Sequence, residues 1–305
     1  MTGNMKRVVR KVLPDGSTGT VYPFHVSIEG LEKAVLYKDE EDYGVMVKYI
    51  AICAKRKNVI VVIYAVVSNH SHVAILSRTQ KEADAYSEDI KKMYSQWYSL
   101  KYGAAAILRR NDSQALLIGS DWHLRNSLAY IPRNALDNGA SVTEYKWTGF
   151  RAMFSKERET GTPVMFLTRR AKEKIMHTAD SLKDVPWLID GNGDLIPGSF
   201  CDTEYLEQVF NNDQAFFLKT IGSLNPAAVR EELVDGPRRR MTDNELFNYV
   251  NDTSKHWFSE EVTCLPLDKK YRLLSFVYRN RKTSIPQLAR VFGLEREKVK
   301  AALDR

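Results

Sequence analysis

The sequence predicts an α+β protein, with a split βαβ antiparallel sheet in its first half and a mostly helical second half that closes on a helix-turn-helix. Two observations carry this expectation. Strand-like and helix-like patterns follow one another as strand, helix, strand, strand, helix, strand between Val21 and Gly119. Near the end of the chain, Thr283 to Leu303 places apolar residues at helical spacing on both sides of Gly293.

Taken in order, Val21 to Ile28 alternates in polarity and is partly β-branched, as a strand requires. Asp39 to Lys55 carries Tyr43, Val47, Ile50, Ala51 and Ala54 at helical spacing, with acids first and bases last, the arrangement a helix dipole favours. Asn58 ends that helix and opens Val59 to Val67, the most apolar run in the chain. Asn69 marks a tight turn, and His72 to Leu76 returns antiparallel. Glu82 to Tyr102 reads as a long helix with Ile90, Met93, Tyr94, Trp97, Tyr98 and Leu100, closed by Gly103. Ala115 to Gly119 is a short strand. Ser120 or Asp121 then caps a helix to about Ile131, with Pro132 near its end. This is the element order of a ferredoxin-like sheet followed by one further helix.

A first domain boundary follows the aromatic cluster Tyr145 to Phe154, because Ser155 to Pro163 is polar and glycine-bearing. The expected organisation is a sheet domain over 1–155, a helical and turn-rich region over 156–265, and a DNA-binding module over 266–305. Thr168 to Leu182 reads as a basic helix. Asp190, Asn192 and Asp194 resemble the start of a calcium loop, but the glycine falls early and no glutamate closes it, so a hairpin turn is the better reading. Leu273 to Tyr278 reads as a helix. In the last segment Ala289 is small where two helices cross, Gly293 permits the turn, and Val299 packs against Leu288 and Phe292. Glu295 to Leu303 would be the recognition helix, with Arg290, Arg296, Lys298 and Lys300 toward DNA phosphates. A three-helix cap with surface charges is the other reading of the same pattern.

The 45 basic and 38 acidic residues leave a formal charge of +7, which favours a polyanion partner but also suits an ordinary basic protein. Three cysteines, Cys53, Cys201 and Cys264, are far apart and form no CxxC pair. This suits reduced thiols and excludes a disulfide scaffold or zinc ribbon. The basic start of the chain leads into no apolar core, so the expectation is a cytoplasmic protein with no membrane partner.

The chemistry lies in Ser68-Asn-His-Ser-His-Val-Ala-Ile-Leu76. Residues i and i+2 of a strand share a face, so His70 and His72 can meet one metal ion or one phosphate. For an isolated His-x-His, two solvent-facing histidines is the bland alternative. What shifts the balance is Tyr130 with Asn134 four residues on, a spacing that puts a phenol and an amide oxygen on one helix face. A metal held by two imidazoles and an amide oxygen keeps positions open for phosphate oxygens while the tyrosine oxygen attacks.

The phrases Phe24-His-Val-Ser-Ile-Glu-Gly30, Asp39 to Tyr43, Ser68 to Leu76, Leu128-Ala-Tyr-Ile-Pro-Arg-Asn134 and Tyr145-Lys-Trp-Thr-Gly-Phe-Arg-Ala152 resemble, in order and spacing, the REP-associated tyrosine transposases, members of the single-tyrosine HUH transposases. The resemblance covers roughly residues 20 to 155. It implies an HUH nuclease domain acting on single-stranded or hairpin DNA with Mg²⁺ or Mn²⁺ and no nucleotide cofactor, as a monomer or homodimer at a bacterial nucleoid. Carried over by motif, His70, His72 and Asn134 are metal ligands and Tyr130 is the nucleophile. The reaction implied is transesterification through a 5′-phosphotyrosine link.

Lys101, Arg109, Arg110, Arg125 and Arg133 are expected phosphate contacts. Trp97 and Tyr98 would be either stacking platforms or core residues. The chain departs from the family pattern at Ser71, where a bulky apolar residue is usual, at Pro132-Arg133 and Asn134-Ala135, and across Ile107 to Gln114. Two other functions fit parts of the pattern. One is a DNA-binding regulator that has lost cleavage. The other is an RNA-binding sheet, which lacks the expected aromatic phrase on a central strand.

Overall fold

A computed structural model describes residues 7–30, 35–103, 115–137, 139–155, 160–224, 243–281 and 283–303. The chain forms two compact units, Met1–Val234 and Asp235–Arg305, so the middle region expected at 156–265 is shared between them.

The first unit is built on strands β1 (Val9–Val12), β2 (Thr18–Glu29), β3 (Ile60–Val67), β4 (His70–Ser77) and β5 (Leu116–Leu117). Between them run helices α1 (Glu40–Lys57) and α2 (Gln80–Tyr102), and α3 (Asp121–Asp137) follows β5. From β2 onward the order is the strand, helix, strand, strand, helix, strand expected from the sequence. The strands lie side by side as β5, β2, β4, β3, every neighbouring pair antiparallel, and β1 forms a hairpin with β2. Pro23 is tolerated inside β2 because its carbonyl accepts from Ile118 on the β5 side, so the N–H it lacks would have faced that short edge strand and not β4.

Local chemistry sets the helix ends. Asp39 caps α1 by accepting from Asp42 N, and Asn58 closes it in the left-handed region. Thr79 caps α2 and Gly103 closes it with φ 64°. The start of α1 is locked by the buried Asp42 carboxylate, which accepts from Lys38 N, Tyr102 Oη and Lys101 Nζ. Burial and the Asp42 carboxylate push the Tyr102 phenol up to about 12.

The two faces of the sheet differ. Along β4, Ser71 points to the side covered by α2, where the Tyr37 hydroxyl donates to Ser71 Oγ at 3.2 Å and the Tyr37 ring packs on Tyr94. A bulky residue at 71 would occupy the space this phenol fills. His70 and His72 point to the opposite face, which α3 covers.

Beyond the sheet come β6 (Thr162–Pro163), α4 (Arg169–Met176), β7 (Leu188–Ile189), α5 (Thr203–Val209) and α6 (Gln214–Ser223). These pack into the same core as the sheet. The basic helix expected to reach Leu182 stops at Met176, because His177 turns into the left-handed region with φ 50°. Residues 188–196 form the expected hairpin: Asp190 Oδ1 accepts from Asn192 N and Asp194 N, and Asp194 is paired with Lys146. The outer edge of β3 is occupied, since Val66 N donates to Trp147 O and Asp202 N donates to Val61 O.

The second unit comprises α7 (Asp243–Phe258), α8 (Leu267–Asn280), α9 (Ile285–Phe292) and α10 (Arg296–Leu303). Helix α8 is longer than the Leu273–Tyr278 segment read from the sequence. Leu246, Val250, Leu273, Leu274, Val277, Leu288, Phe292 and Val299 form its core. Ser284 caps α9, and Gly293, at φ 63°, returns its N–H to Ala289 O and Arg290 O, which turns the chain into α10. Among the described residues no helix is long and apolar enough to cross a membrane.

Replacing Ser71 by leucine is expected to destabilise the first unit by about 2 kcal/mol through overpacking against Tyr37. Replacing it by alanine, which leaves the Tyr37 hydroxyl without its acceptor, should cost about 1 kcal/mol. Urea denaturation of the three proteins measures both.

Candidate active site

The pairing of β2 with β4 sets Glu29 opposite His70, Ser27 opposite His72 and His25 opposite Ala74, and β3 sets Val67 and Ala65 opposite the same two histidines. Directly opposed residues share a face, so His25, His70 and His72 stand together. Helix α3 lies over them. The His72 and Tyr130 rings meet edge-on with centroids 5.3 Å apart, and His70 Nε2 is 3.2 Å from Asn134 Oδ1. The four residues brought into view by the sequence therefore converge on one sheet face.

Helix α3 reaches them because it does not end near Ile131 as expected; it runs through Pro132 to Asp137. Proline removes one backbone donor from the helix. Asn134 reinforces that same stretch by donating its Nδ2 to Tyr130 O at 2.8 Å and Ile131 O at 3.1 Å. Those two bonds also orient the amide, leaving Oδ1 as the atom that faces His70.

His70 is the most informative donor. Its Nδ1 lies 2.6 Å from Asn69 Oδ1 and its Nε2 lies 3.2 Å from Asn134 Oδ1, so both ring nitrogens face acceptor oxygens. A neutral imidazole donates from only one nitrogen. With Nδ1–H on Asn69, the Nε2 lone pair is left for a cation placed beside Asn134 Oδ1; with Nε2–H on Asn134, the ring needs no cation. Neighbouring donors in an octahedral shell with bonds of about 2.1 Å lie about 3 Å apart, which suits this pair. Two imidazoles and an amide oxygen are donors of the kind that fit a divalent cation, and the Asn69 contact behind His70 orients its ring. Among the described residues no three His, Cys, Asp or Glu side chains converge to hold a metal. Tyr130 and His72 are 3% and 1% exposed, and Asn134 is equally buried.

The expected phosphate contacts fare differently. Arg109 and Arg110 lie outside the described residues. Arg125 and Arg133 are turned inward because α6 packs along α3. Arg125 Nε donates to Val209 O at 3.3 Å with its guanidinium over Phe216, and Arg133 donates to Ile221 O at 3.4 Å. Lys101 is held among Asp39, Glu41 and Asp42, each at 2.8 Å. Trp97 and Tyr98 are core residues. In the second unit Arg290 is paired with Asp243 at 2.6 Å and Lys298 with Glu295 at 3.4 Å, while Arg296 and Lys300 are exposed. The hydrogen bond from Arg290 holds the Asp243 carboxyl below its usual range.

Sequence reasoning missed two parts of the site. His25 is visible in the sequence only within Phe24-His-Val-Ser-Ile-Glu-Gly30, since its place beside His72 depends on strand register. Asn69 was read as a turn residue; its contact with the adjacent His70 has no spacing signature.

No protein-family model matches the chain, and no curated protein matches it. Among solved structures, a REP-associated tyrosine transposase bound to a REP hairpin is similar over 50% of this chain and 84% of that one, at 12% identity and a TM-score of 0.36. A likeness at that level carries no functional weight.

If Arg296 and Lys300 contact phosphates and Arg290 serves the ion pair, Arg296→Ala and Lys300→Ala will each lower the slope of log affinity against log salt by about 1. Arg290→Ala should leave that slope unchanged. Binding titrations at several salt concentrations separate the two behaviours.

Proposed function

We propose that this protein is a metal-dependent single-strand DNA nickase and strand transferase, built on a ferredoxin-like HUH domain with an appended helix-turn-helix. The observation that supports this best is the convergence of Tyr130 and Asn134 on His70 and His72 across the α3 face of the sheet. The motif resemblance assigns the same four residues to one site. The strand order β5, β2, β4, β3 and the α9–Gly293–α10 turn suit the two folds named.

In this reading His70, His72 and Asn134 hold Mg²⁺ or Mn²⁺, which when bound supplies positive charge to polarise the scissile phosphate. Tyr130 Oη loses its proton and attacks the phosphorus. The bond to the 3′ oxygen breaks, that oxygen takes up a proton, and the strand is left with a free 3′-hydroxyl and a 5′-phosphotyrosine. Because one phosphodiester replaces another, a second 3′-hydroxyl can reverse the step and join a new strand. Single-stranded or hairpin DNA is the substrate proposed, and no nucleotide cofactor takes part.

The burial of Tyr130 favours a second reading, a sequence-specific DNA-binding regulator without cleavage. For the enzyme, α3 must shift to admit a phosphate; for the regulator it need not.

Incubation with a randomised single-stranded and hairpin oligonucleotide library and Mn²⁺ should yield a covalent protein–DNA adduct on denaturing gels. Tyr130→Phe should yield none, and His70→Ala should reduce adduct formation about 100-fold or more. DNA binding without an adduct in the wild type, unaltered by either substitution, would establish the regulator instead.

A further inference from the structure

We propose that His25 is a positioning residue for this site: its imidazole, stacked on His72, fixes the plane in which the His72 ring meets Tyr130. The inference rests on reading His70, His72 and Asn134 as a metal site. It assigns a role to a side chain that neither the nucleophile nor the ligand set uses.

His25 lies on β2 diagonally across from His72, within reach of an aromatic side chain on the same face. The two rings are stacked, with centroids 5.0 Å apart and planes 29° apart, and His25 is 2% exposed. His70 approaches the edge of His72 at 4.8 Å and 71°, and Tyr130 at 5.3 Å and 61°. Histidine χ2 is a broad, roughly two-fold rotor, so a strand backbone alone does not fix the ring plane. The residues directly opposite, Ser27 on β2 and Ala65 on β3, are too small to bar rotation, as is Ala74 at the next position along β4 on the same face. The flat face of His25 supplies that restraint. A metal site or attacking group is useful only when its donors are held within about 10–20° of the working geometry, which makes the restraint functional. His25 itself is not a third imidazole ligand, since His25, His70 and His72 do not converge as a metal-holding cluster.

The test compares His25→Leu, which removes the flat ring, with His25→Phe, which keeps a ring but no nitrogen. In metal-free protein carrying labelled histidine, the His72 ring resonance should be sharp in the wild type and in His25→Phe, and exchange-broadened or shifted in His25→Leu. With Co²⁺ as the probe, His25→Leu should bind about 10-fold more weakly and show an altered visible spectrum, while His25→Phe stays within about 3-fold of the wild type. Thermal melts of all three confirm folding.

An unchanged His72 resonance in His25→Leu overturns the proposal, as does equal loss in both variants, which would assign the effect to a ring nitrogen. The parent reading fails separately, if the wild type takes up no Co²⁺ or His70→Ala takes it up equally well. Loss of Co²⁺ in His70→Ala with no change in His25→Leu would remove only the positioning role.

Discussion

The site depends on the antiparallel register of β2 against β4. Side-chain direction in a sheet has a period of two, so a slip of one residue would carry His70 and His72 into the layer under α2 and present Ser71 to α3. The register is held by opposite demands on the two faces. Phe24, Val26 and Ile28 with Val73 and Ile75 are buried on one side, and the histidines and small alanines accept α3 on the other. One buried apolar face already resists slippage; here both faces are buried, and each needs its own set.

Helix α3 is the second half of the same constraint. It must cross the histidine face at a fixed height, and its fastening comes from polar groups as much as from its apolar stripe. Arg125 and Arg133 tie its outer side to carbonyls of the α5–α6 region, and Phe150, Phe154, Phe210 and Phe217 pack together beside it. Charges that look in the sequence like a surface for phosphates are used to clamp the helix that carries Tyr130. Residues 200–224, silent as chemistry, thereby support the geometry of Tyr130.

The sheet was legible because period-two and period-3.6 patterns are local, and because caps such as Asp39, Asn58 and Gly103 announce their helix ends. The four residues of the site were legible through spacing, i and i+2 on a strand and i and i+4 on a helix. What depended on contacts distant in sequence was not. His25 joins His72 only through register. The inward turn of Arg125 and Arg133 depends on a helix eighty or more residues away. Pro132 reads as a stop because proline withdraws a backbone donor, yet the helix continues, with the Asn134 side chain bonded to Tyr130 O and Ile131 O across the same turn. Within residues 160–224, the short helices α5 and α6 lack a periodic stretch long enough to register.

The covered edge of β3 has its own consequence. An open strand edge is a template on which another chain can add itself, and an apolar strand such as Ile60–Val67 would be an efficient one. Here Trp147 and Asp202 take up hydrogen-bonding positions along that edge, and the Thr148 hydroxyl donates to Tyr64 O. This apolar strand is thus sealed by the protein's own loops, and the sheet cannot be extended across β3 without first unseating them.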